Sequence, residues 1–246
     1  MSSIARRIAI MQWTPRRFGG GLYAAWDPEE PAFLSLSGGA VATWTDYARG
    51  AAPTQGLGAA RPAYGVSDFN GRPIITPDAG DDQLTLTGVP ASIPTGATPF
   101  EIWCIWNQTS LVADTTSRCA IGWGAAATTG VVLRRAVISG VNRADMFVGN
   151  GSTGINPANL NVDFSGRHVV RAVVDGVNAR VDVDGVAGTP LAVVPSIGTT
   201  RLRLFSTYVT TAANFAGGDF SGIWITRLQA ADEAVRMYAY CNRRIV

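Results

Sequence analysis

From residue 73 onward the chain is a succession of short runs in which apolar and polar residues alternate, each closed by a cluster of turn residues. Alternation with period two sends successive side chains to opposite faces of a strand, and turn residues at regular spacing mark where strands end. The pattern predicts strands at Pro73–Thr76, Gln83–Thr87, Phe100–Asn107, Arg118–Trp123, Val131–Ser139, Arg143–Val148, His168–Val174, Ala179–Val183, Pro190–Val194, Arg201–Ser206 and Phe220–Thr226. Two earlier patches, Leu22–Trp26 and Val41–Trp44, read the same way. Turns fall at Ala79-Gly80-Asp81-Asp82, Asn150-Gly151, Asp175-Gly176 and Asp184-Gly185. Many short strands joined by Gly-rich turns indicate an all-β sandwich or barrel.

Two strands carry more information. In Phe100–Asn107, Phe100, Ile102, Cys104 and Trp106 point one way, while Glu101, Trp103, Ile105 and Asn107 point the other. Both faces carry apolar bulk, so this strand is predicted to be central. In the strand starting at Arg201, Leu202 and Leu204 are predicted inward and Arg201, Arg203 and Phe205 outward, giving a face with Arg and aromatics. Helical period occurs only at the end. Leu228, Ala231, Val235, Tyr238 and Cys241 predict a helix over Ala231–Arg243, packed on the sandwich. Asp232 and Glu233 in its first turn and Arg243 and Arg244 near its end suit the helix dipole.

Composition narrows the class. With 47% hydrophobic and 15% charged residues, a disordered chain is excluded. The 28 Gly and 13 Pro, with abundant Thr and Val, favour turns and strands over a helix bundle. All 20 basic residues are Arg, which we attribute to codon bias. A net charge of +2 leaves no nucleic-acid footprint, and no apolar run approaches the ~18 residues of a membrane span. The basic residues cluster at the ends, as Arg6, Arg7, Arg16 and Arg17, then Arg243 and Arg244. Residues 1–20 read as a basic arm ending in Gly19-Gly20-Gly21, residues 21–230 as the sandwich and 231–246 as the helix. The run Ile8–Met11 is too short for a signal peptide, which predicts a protein not secreted by that route. Cys104, Cys119 and Cys241 are odd in number and lack metal spacing, and read as buried free thiols.

Several motifs together resemble one family. The stretch FSGRHVVRAVVDGVNARVDVDGVAGTPL, Phe164 to Leu191, is similar to the paired D-G hairpins of concanavalin A-like lectin/glucanase jelly rolls in their laminin G-like form. Arg167 stands where that family has an aromatic, and His168 matches its His. GGDFSGIWI (Gly217–Ile225) resembles its late strand. Ala25-Trp26-Asp27, Arg61–Tyr64 and the segment NGRPIITPDAGDDQLTL resemble its early motifs, with Pro77 in place of a Phe. The combination looks most like versions in tailed-phage, prophage and gene-transfer-agent particles. The resemblance implies a two-sheet antiparallel jelly-roll sandwich with one C-terminal helix.

Glucanases of this fold place two or three carboxylates on one strand facing the cleft. Here Glu occurs only at 29, 30, 101 and 233, and Glu101 has Trp and Ile at 103 and 105. Asp182 and Asp184 share a strand face, but Asp184-Gly185 reads as a turn. No catalytic residues are therefore assigned. His168 is alone and reads as a hydrogen-bonded structural residue near the sheet edge, and no zinc ligand set exists. Ca²⁺ is the one cofactor the resemblance leaves open. Asp81 and Asp82 offer hard oxygens in a Gly-flanked loop, against the reading of a turn whose Asp side chains cap amides. For stacking on sugars, Trp103, Trp123, Tyr208 and Trp224 are the candidate exposed aromatics.

The expected function is a non-enzymatic structural protein on a tailed-phage-like virion, with a lectin-like face for host surface polysaccharide. Arg6, Arg7, Trp13, Arg16 and Arg17 are expected to anchor it to other virion proteins, in many copies per particle. It would be made in the bacterial cytoplasm and leave in the particle. The alternatives are a polysaccharide depolymerase of the same fold and a host sugar-binding module.

Overall fold

The computed structural model describes residues 14–69, 71–107, 116–155, 160–161, 166–207 and 214–245. The strands are β1 (Leu22–Trp26), β2 (Leu34–Ser37), β3 (Ala40–Trp44), β4 (Ala63–Phe69), β5 (Arg72–Thr76), β6 (Leu84–Thr87), β7 (Phe100–Asn107), β8 (Arg118–Gly124), β9 (Gly130–Ile138), β10 (Val141–Gly149), β11 (Gly154–Ile155), β12 (Leu160–Asn161), β13 (Arg167–Val174), β14 (Asn178–Val183), β15 (Leu191–Ala192), β16 (Arg201–Leu204) and β17 (Asp219–Thr226). Among the described residues they form two antiparallel sheets. The first holds ten strands in the order β15-β14-β13-β7-β17-β5-β4-β3-β2, with β1 on β17. The second holds seven in the order β11-β10-β9-β8-β16-β6, with β12 on β10. The result is a two-sheet jelly-roll sandwich with one C-terminal helix, Ala231–Ile245.

Strand β7 is central, as its sequence predicts. Phe100, Ile102, Cys104 and Trp106 face the core between the sheets, together with Trp26, Trp44 and Trp123. Trp103 and Ile105 face the other way. There they join Trp224 and Val169 under the helix residues Ala234, Met237 and Cys241. The molecule is thus layered as helix, ten-stranded sheet, core and seven-stranded sheet. The helix uses a different seam from the one expected. Val235 and Leu228 are exposed, and Ala234, Met237, Cys241 and Arg244 are buried. Small side chains at 234 and 241 let the helix axis approach the large rings of Trp103 and Trp224, which longer residues would hold off.

Two buried charge clusters fasten the helix. Glu101 accepts from Arg171 at 2.6 and 3.2 Å, from the Trp103 indole at 2.9 Å and from the Gln229 amide at 3.0 Å. At the far end Arg244 reaches Asp27 at 2.7 Å and Glu29 at 2.6 Å, while the Tyr240 hydroxyl donates to Asp27.

The end of the basic arm belongs to this layer. Pro15–Gly21 forms a 3₁₀ turn, and Phe18 is buried with Leu22, Trp224 and the helix. Arg16 pairs with Glu30 at 2.8 Å and lies over the Tyr47 ring. Gly21, at the end of the arm's glycine run, is buried against Arg227, whose side chain a Cβ there would displace. Arg17 is exposed, and Arg6, Arg7 and Trp13 lie outside the described residues.

Removing one partner of a buried pair leaves the other charge desolvated and uncompensated, at a cost of about 3–5 kcal/mol. Arg244→Met, which strands Asp27, is expected to lose stability on that scale. The measurement is the urea midpoint at neutral pH. Asp27→Leu combined with Arg244→Met should cost clearly less than the sum of the two single changes.

Candidate ligand-binding face

With the core filling one side of each sheet and the helix covering the other side of the ten-stranded sheet, the outer face of the seven-stranded sheet is left. Its side chains follow from alternation. Leu84, Leu86, Leu202, Leu204, Ile121, Trp123, Ala144, Met146 and Val148 point into or against the core. Their neighbours therefore point out. The register aligns them in rows across the sheet. One row runs Thr85, Arg203, Gly122, Val132, Phe147, and the next runs Thr87, Arg201, Gly124, Gly130. A third row holds Cys119, Arg134 and Asp145.

The middle of this face carries no side chains at Gly122, Gly124 and Gly130, and these glycines are buried. Phe147 is half-buried against Cys119 and Val132. It needs a glycine opposite, since a Cβ on Gly154 would overlap its ring. Arg134 grips Asp145 through two nitrogens at 2.7 Å each. Arg203 is only 7% exposed and donates to the Thr207 carbonyl at 2.9 Å. Burial, with the neighbouring positive charge of Arg201, pushes the Arg203 guanidinium down to about 10. The Cys119 thiol is pushed up to about 12 by burial, so it is an inert packing group rather than a nucleophile. Cys104 and Cys241 are likewise buried free thiols.

The aromatics expected to meet sugar do not lie here. Trp103, Trp123 and Trp224 are each 0% exposed. Trp103 sits edge-on to Tyr238 and Trp224 edge-on to Tyr240, both under the helix. Trp123 donates to the Pro94 carbonyl in the core. It lies between Gly122 and Gly124, and alternation that puts the glycines outside puts the indole inside. Tyr208 lies outside the described residues. Phe205, expected outward beside Arg201 and Arg203, is buried. Its left-handed backbone (φ 67) ends β16 and turns the ring inward onto Trp44 and Phe220. Phe147 and Arg134 escaped the sequence reading, although inward Ala144, Met146 and Val148 imply an outward Asp145 and Phe147.

The carboxylates weighed for hydrolysis are engaged elsewhere. Asp182 is 3% exposed on the helix side, held by Arg171 and Arg180. Asp184 sits in a turn with φ 51, where it accepts from the Val169 amide and pairs with His168 at 2.7 Å. His168 is accordingly hydrogen-bonded at the strand end.

The Asp81–Asp82 loop gains a third acid. One carboxylate oxygen each from Asp78, Asp81 and Asp82 lies within 4.8 Å of the others. Asp78 caps the turn through Oδ1, which accepts from the Gly80 amide at 2.7 Å around a left-handed Ala79. Asp82 also caps an amide, as the turn reading expects, but with one oxygen alone. It is 3% exposed, its Oδ2 accepts from the Asp78 amide, and its Oδ1 is buried without a hydrogen-bond partner among the described residues. Burial, reinforced by Asp78 and Asp81, pushes Asp82 up to about 6. Three hard oxygens fit part of the shell of about six to eight that Ca²⁺ takes, and the orphaned oxygen suits a cation ligand. Asp78, Asp81 and Asp82 are the residues that would hold such an ion, which would neutralise and brace this loop.

No protein-family model matches the chain, and no curated protein matches it. Solved structures share its fold. Domain 4 of AbnA, an extracellular arabinanase from Geobacillus stearothermophilus, in complex with arabinotriose, has a TM-score of 0.56 at 11% identity, covering 89% of this chain and 98% of that one. The binding domain of botulinum neurotoxin DC, in complex with rat synaptotagmin II, has a TM-score of 0.58 at 10% identity, covering 92% of this chain and 52% of that one. The enzymatically active domain of tailspike protein 2 from bacteriophage CBA120 has a TM-score of 0.51 at 11% identity, covering 75% of this chain and 29% of that one. At these identities the likeness is one of fold.

Because Asp82 holds its proton more tightly folded than unfolded, the linked stabilisation is present below about pH 4 and lost as pH rises through about 6. Asp82→Asn cannot ionise. In metal-free buffer it is expected to be more stable than the parent at pH 7.5, by about 1 kcal/mol after allowance for solvent screening, and equal to it at pH 4. Denaturant titrations at the two pH values measure this. A variant less stable at pH 7.5 would mean the ionised carboxylate is held by a favourable partner.

Proposed function

We propose that this protein is a non-enzymatic glycan-binding module of a tailed-phage-like virion, built on a concanavalin A-like, laminin G-like sandwich. The observation that carries the glycan reading is the row Thr85, Arg203, Gly122, Val132, Phe147 on the outer face of the seven-stranded sheet, turned away from the core and the helix among the described residues. A partly exposed aromatic ring, backbone without side chains and planar polar groups in one row are the groups a sugar ring uses for stacking and hydrogen bonding. The arabinotriose complex of a domain with the same fold supports this reading, and the tailspike neighbour supports the phage setting. Glycoside hydrolysis needs two carboxyl groups facing one bond, about 5–9.5 Å apart. Asp145 is the acid among this face's described strand positions, and Arg134 binds it.

One such site binds weakly, in about the millimolar to high-micromolar range, because few contacts must offset the immobilisation of a well-solvated ligand. Many copies on a particle convert that into adhesion through avidity. The protein would be made in the bacterial cytoplasm and released with the virion. Arg6, Arg7 and Trp13 would supply the attachment to other virion proteins, Arg16 being tied to Glu30.

Two measurements test this reading. Displayed multivalently on a glycan array, the protein is expected to bind host surface polysaccharides, and Phe147→Ala to weaken that binding by at least about tenfold. Release of new reducing ends from the bound polysaccharide, or binding unchanged in Phe147→Ala, would overturn it. Deleting residues 1–13 is expected to leave a folded domain that still binds glycan and no longer enters the particle. Normal incorporation would place the anchor elsewhere.

A further inference from the structure

The loop between Thr76 and Leu84 carries the chain from β5 in the ten-stranded sheet to β6 in the seven-stranded one. One carboxylate oxygen each from Asp78, Asp81 and Asp82 on this loop lies within 4.8 Å of the others, and among the described residues no arginine pairs with any of the three. Acids gathered in water need no explanation, because water solvates them. Asp82 is not in water, being 3% exposed. Its Oδ2 accepts from the Asp78 amide at 2.8 Å, while its Oδ1 is buried with no hydrogen-bond partner among the described residues. A buried carboxylate oxygen without a partner has lost its hydration uncompensated, and a bound cation removes that cost. Asp78 and Asp81 are exposed, so the cluster is open on its outer side.

Two oxygens bound to one ion lie no further apart than twice the metal–oxygen distance, about 4.6–5.2 Å for Ca²⁺ and about 4.0–4.2 Å for Mg²⁺. Three oxygens spanning up to 4.8 Å fit within the Ca²⁺ limit. Ca²⁺ also accepts irregular oxygen sets, whereas Mg²⁺ demands a near-ideal octahedron and gives up its waters reluctantly. The loop is held to both sheets. Asp78 bridges to Gly217, just ahead of β17, and the Gly217 carbonyl accepts from the Trp106 indole of β7 at 3.0 Å. Arg118, the first residue of β8, donates to the Ala79 carbonyl at 2.6 Å and to the Phe215 carbonyl at 3.2 Å.

We propose that Asp78, Asp81 and Asp82 bind one Ca²⁺, with Asp82 Oδ1 as the buried inner ligand, and that the ion locks the β5–β6 crossover onto the starts of β8 and β17. Loaded with the ion, this end of the sandwich is fastened across both sheets. Three carboxylates supply part of a shell of about six to eight oxygens and water completes it on the exposed side, so the affinity is low, with a dissociation constant of about 0.1–1 mM. The proposal is independent of the glycan-binding face.

The test is thermal unfolding of the full chain at neutral pH, first stripped with a chelator and then titrated with calcium chloride at constant ionic strength. Ca²⁺ at about 10 mM is expected to raise the melting temperature by about 3 °C or more, because an ion that binds only the folded chain stabilises it. Mg²⁺ at the same concentration is expected to give less than about a third of that rise. Tb³⁺, a luminescent stand-in for Ca²⁺, is expected to emit on tryptophan excitation, since Trp106 is hydrogen-bonded to the residue bridged to Asp78, and to be displaced by Ca²⁺. Asp82→Asn is expected to abolish the Ca²⁺ response. Asp81→Asn alters an exposed side chain, so the fold is kept, and is expected to weaken Ca²⁺ binding by about tenfold or more through the lost ligand charge. Asp232→Asn on the terminal helix is the charge control and is expected to respond as the parent does. No rise with Ca²⁺, or a response unchanged in both Asp81→Asn and Asp82→Asn, would overturn the site. Equal loss in Asp232→Asn would overturn it by showing nonspecific attraction, and Mg²⁺ as effective as Ca²⁺ would overturn the choice of ion.

Discussion

The ten-stranded sheet is apolar on both faces, and everything else in the molecule answers to that. Strand β7 sets the constraint, since Trp103 and Ile105 on one side are as fully buried as Phe100, Ile102 and Trp106 on the other. A tryptophan side chain buries about 150–250 Å², worth roughly 4–6 kcal/mol of transfer free energy at about 25 cal/mol per Å². Neither face can be left to water. The seven-stranded sheet covers one and the terminal helix, with Phe18 beside it, covers the other. The helix is therefore a structural layer of the sandwich.

Apolar contact alone does not say how a helix should lie on a sheet. The Glu101–Arg171 pair beside the start of the helix and the Arg244–Asp27–Glu29 cluster at its end supply that information. Buried pairs gain little net stability because desolvation offsets attraction, but a shifted helix would strand both charges. Ala234 and Cys241 set the depth of the seam, and the charges set its register.

Once both faces of the larger sheet are committed, the outer face of the smaller one, with its small cluster of Cys119, Val132 and Phe147, is the side turned away from core and helix. Its residues break the rules the core obeys. Glycines interrupt β8 where side chains would strengthen a strand, and two arginines stand two apart on β16. Locally unfavourable choices on an otherwise consistent fold are where binding sites are found. The layering concentrates them in one place.

The strand pattern, the central position of β7, the terminal helix and the buried cysteines were legible in the residues, because alternation and period report which side of an element is buried. So was the resemblance to jelly rolls, through hairpins such as Asp175-Gly176 and Asp184-Gly185. Exposure was not legible for the large aromatics. Alternation divides a strand into two sides without saying which side faces solvent, and in this fold Trp103 and Trp224 lie under a helix more than a hundred residues away from Trp103 in the chain. The helix seam failed for a related reason. Apolar period fits Val235 and Leu228 as well as Met237, and the choice is made by the shape of the sheet beneath. Phe205 turned inward because its backbone left the strand. Asp78 joined Asp81 and Asp82 because the loop folds back on itself. Sequence determined the elements and their two-sidedness. Only tertiary structure decided which sides meet, since that depends on long-range packing and chain reversal, which local periodicity does not encode.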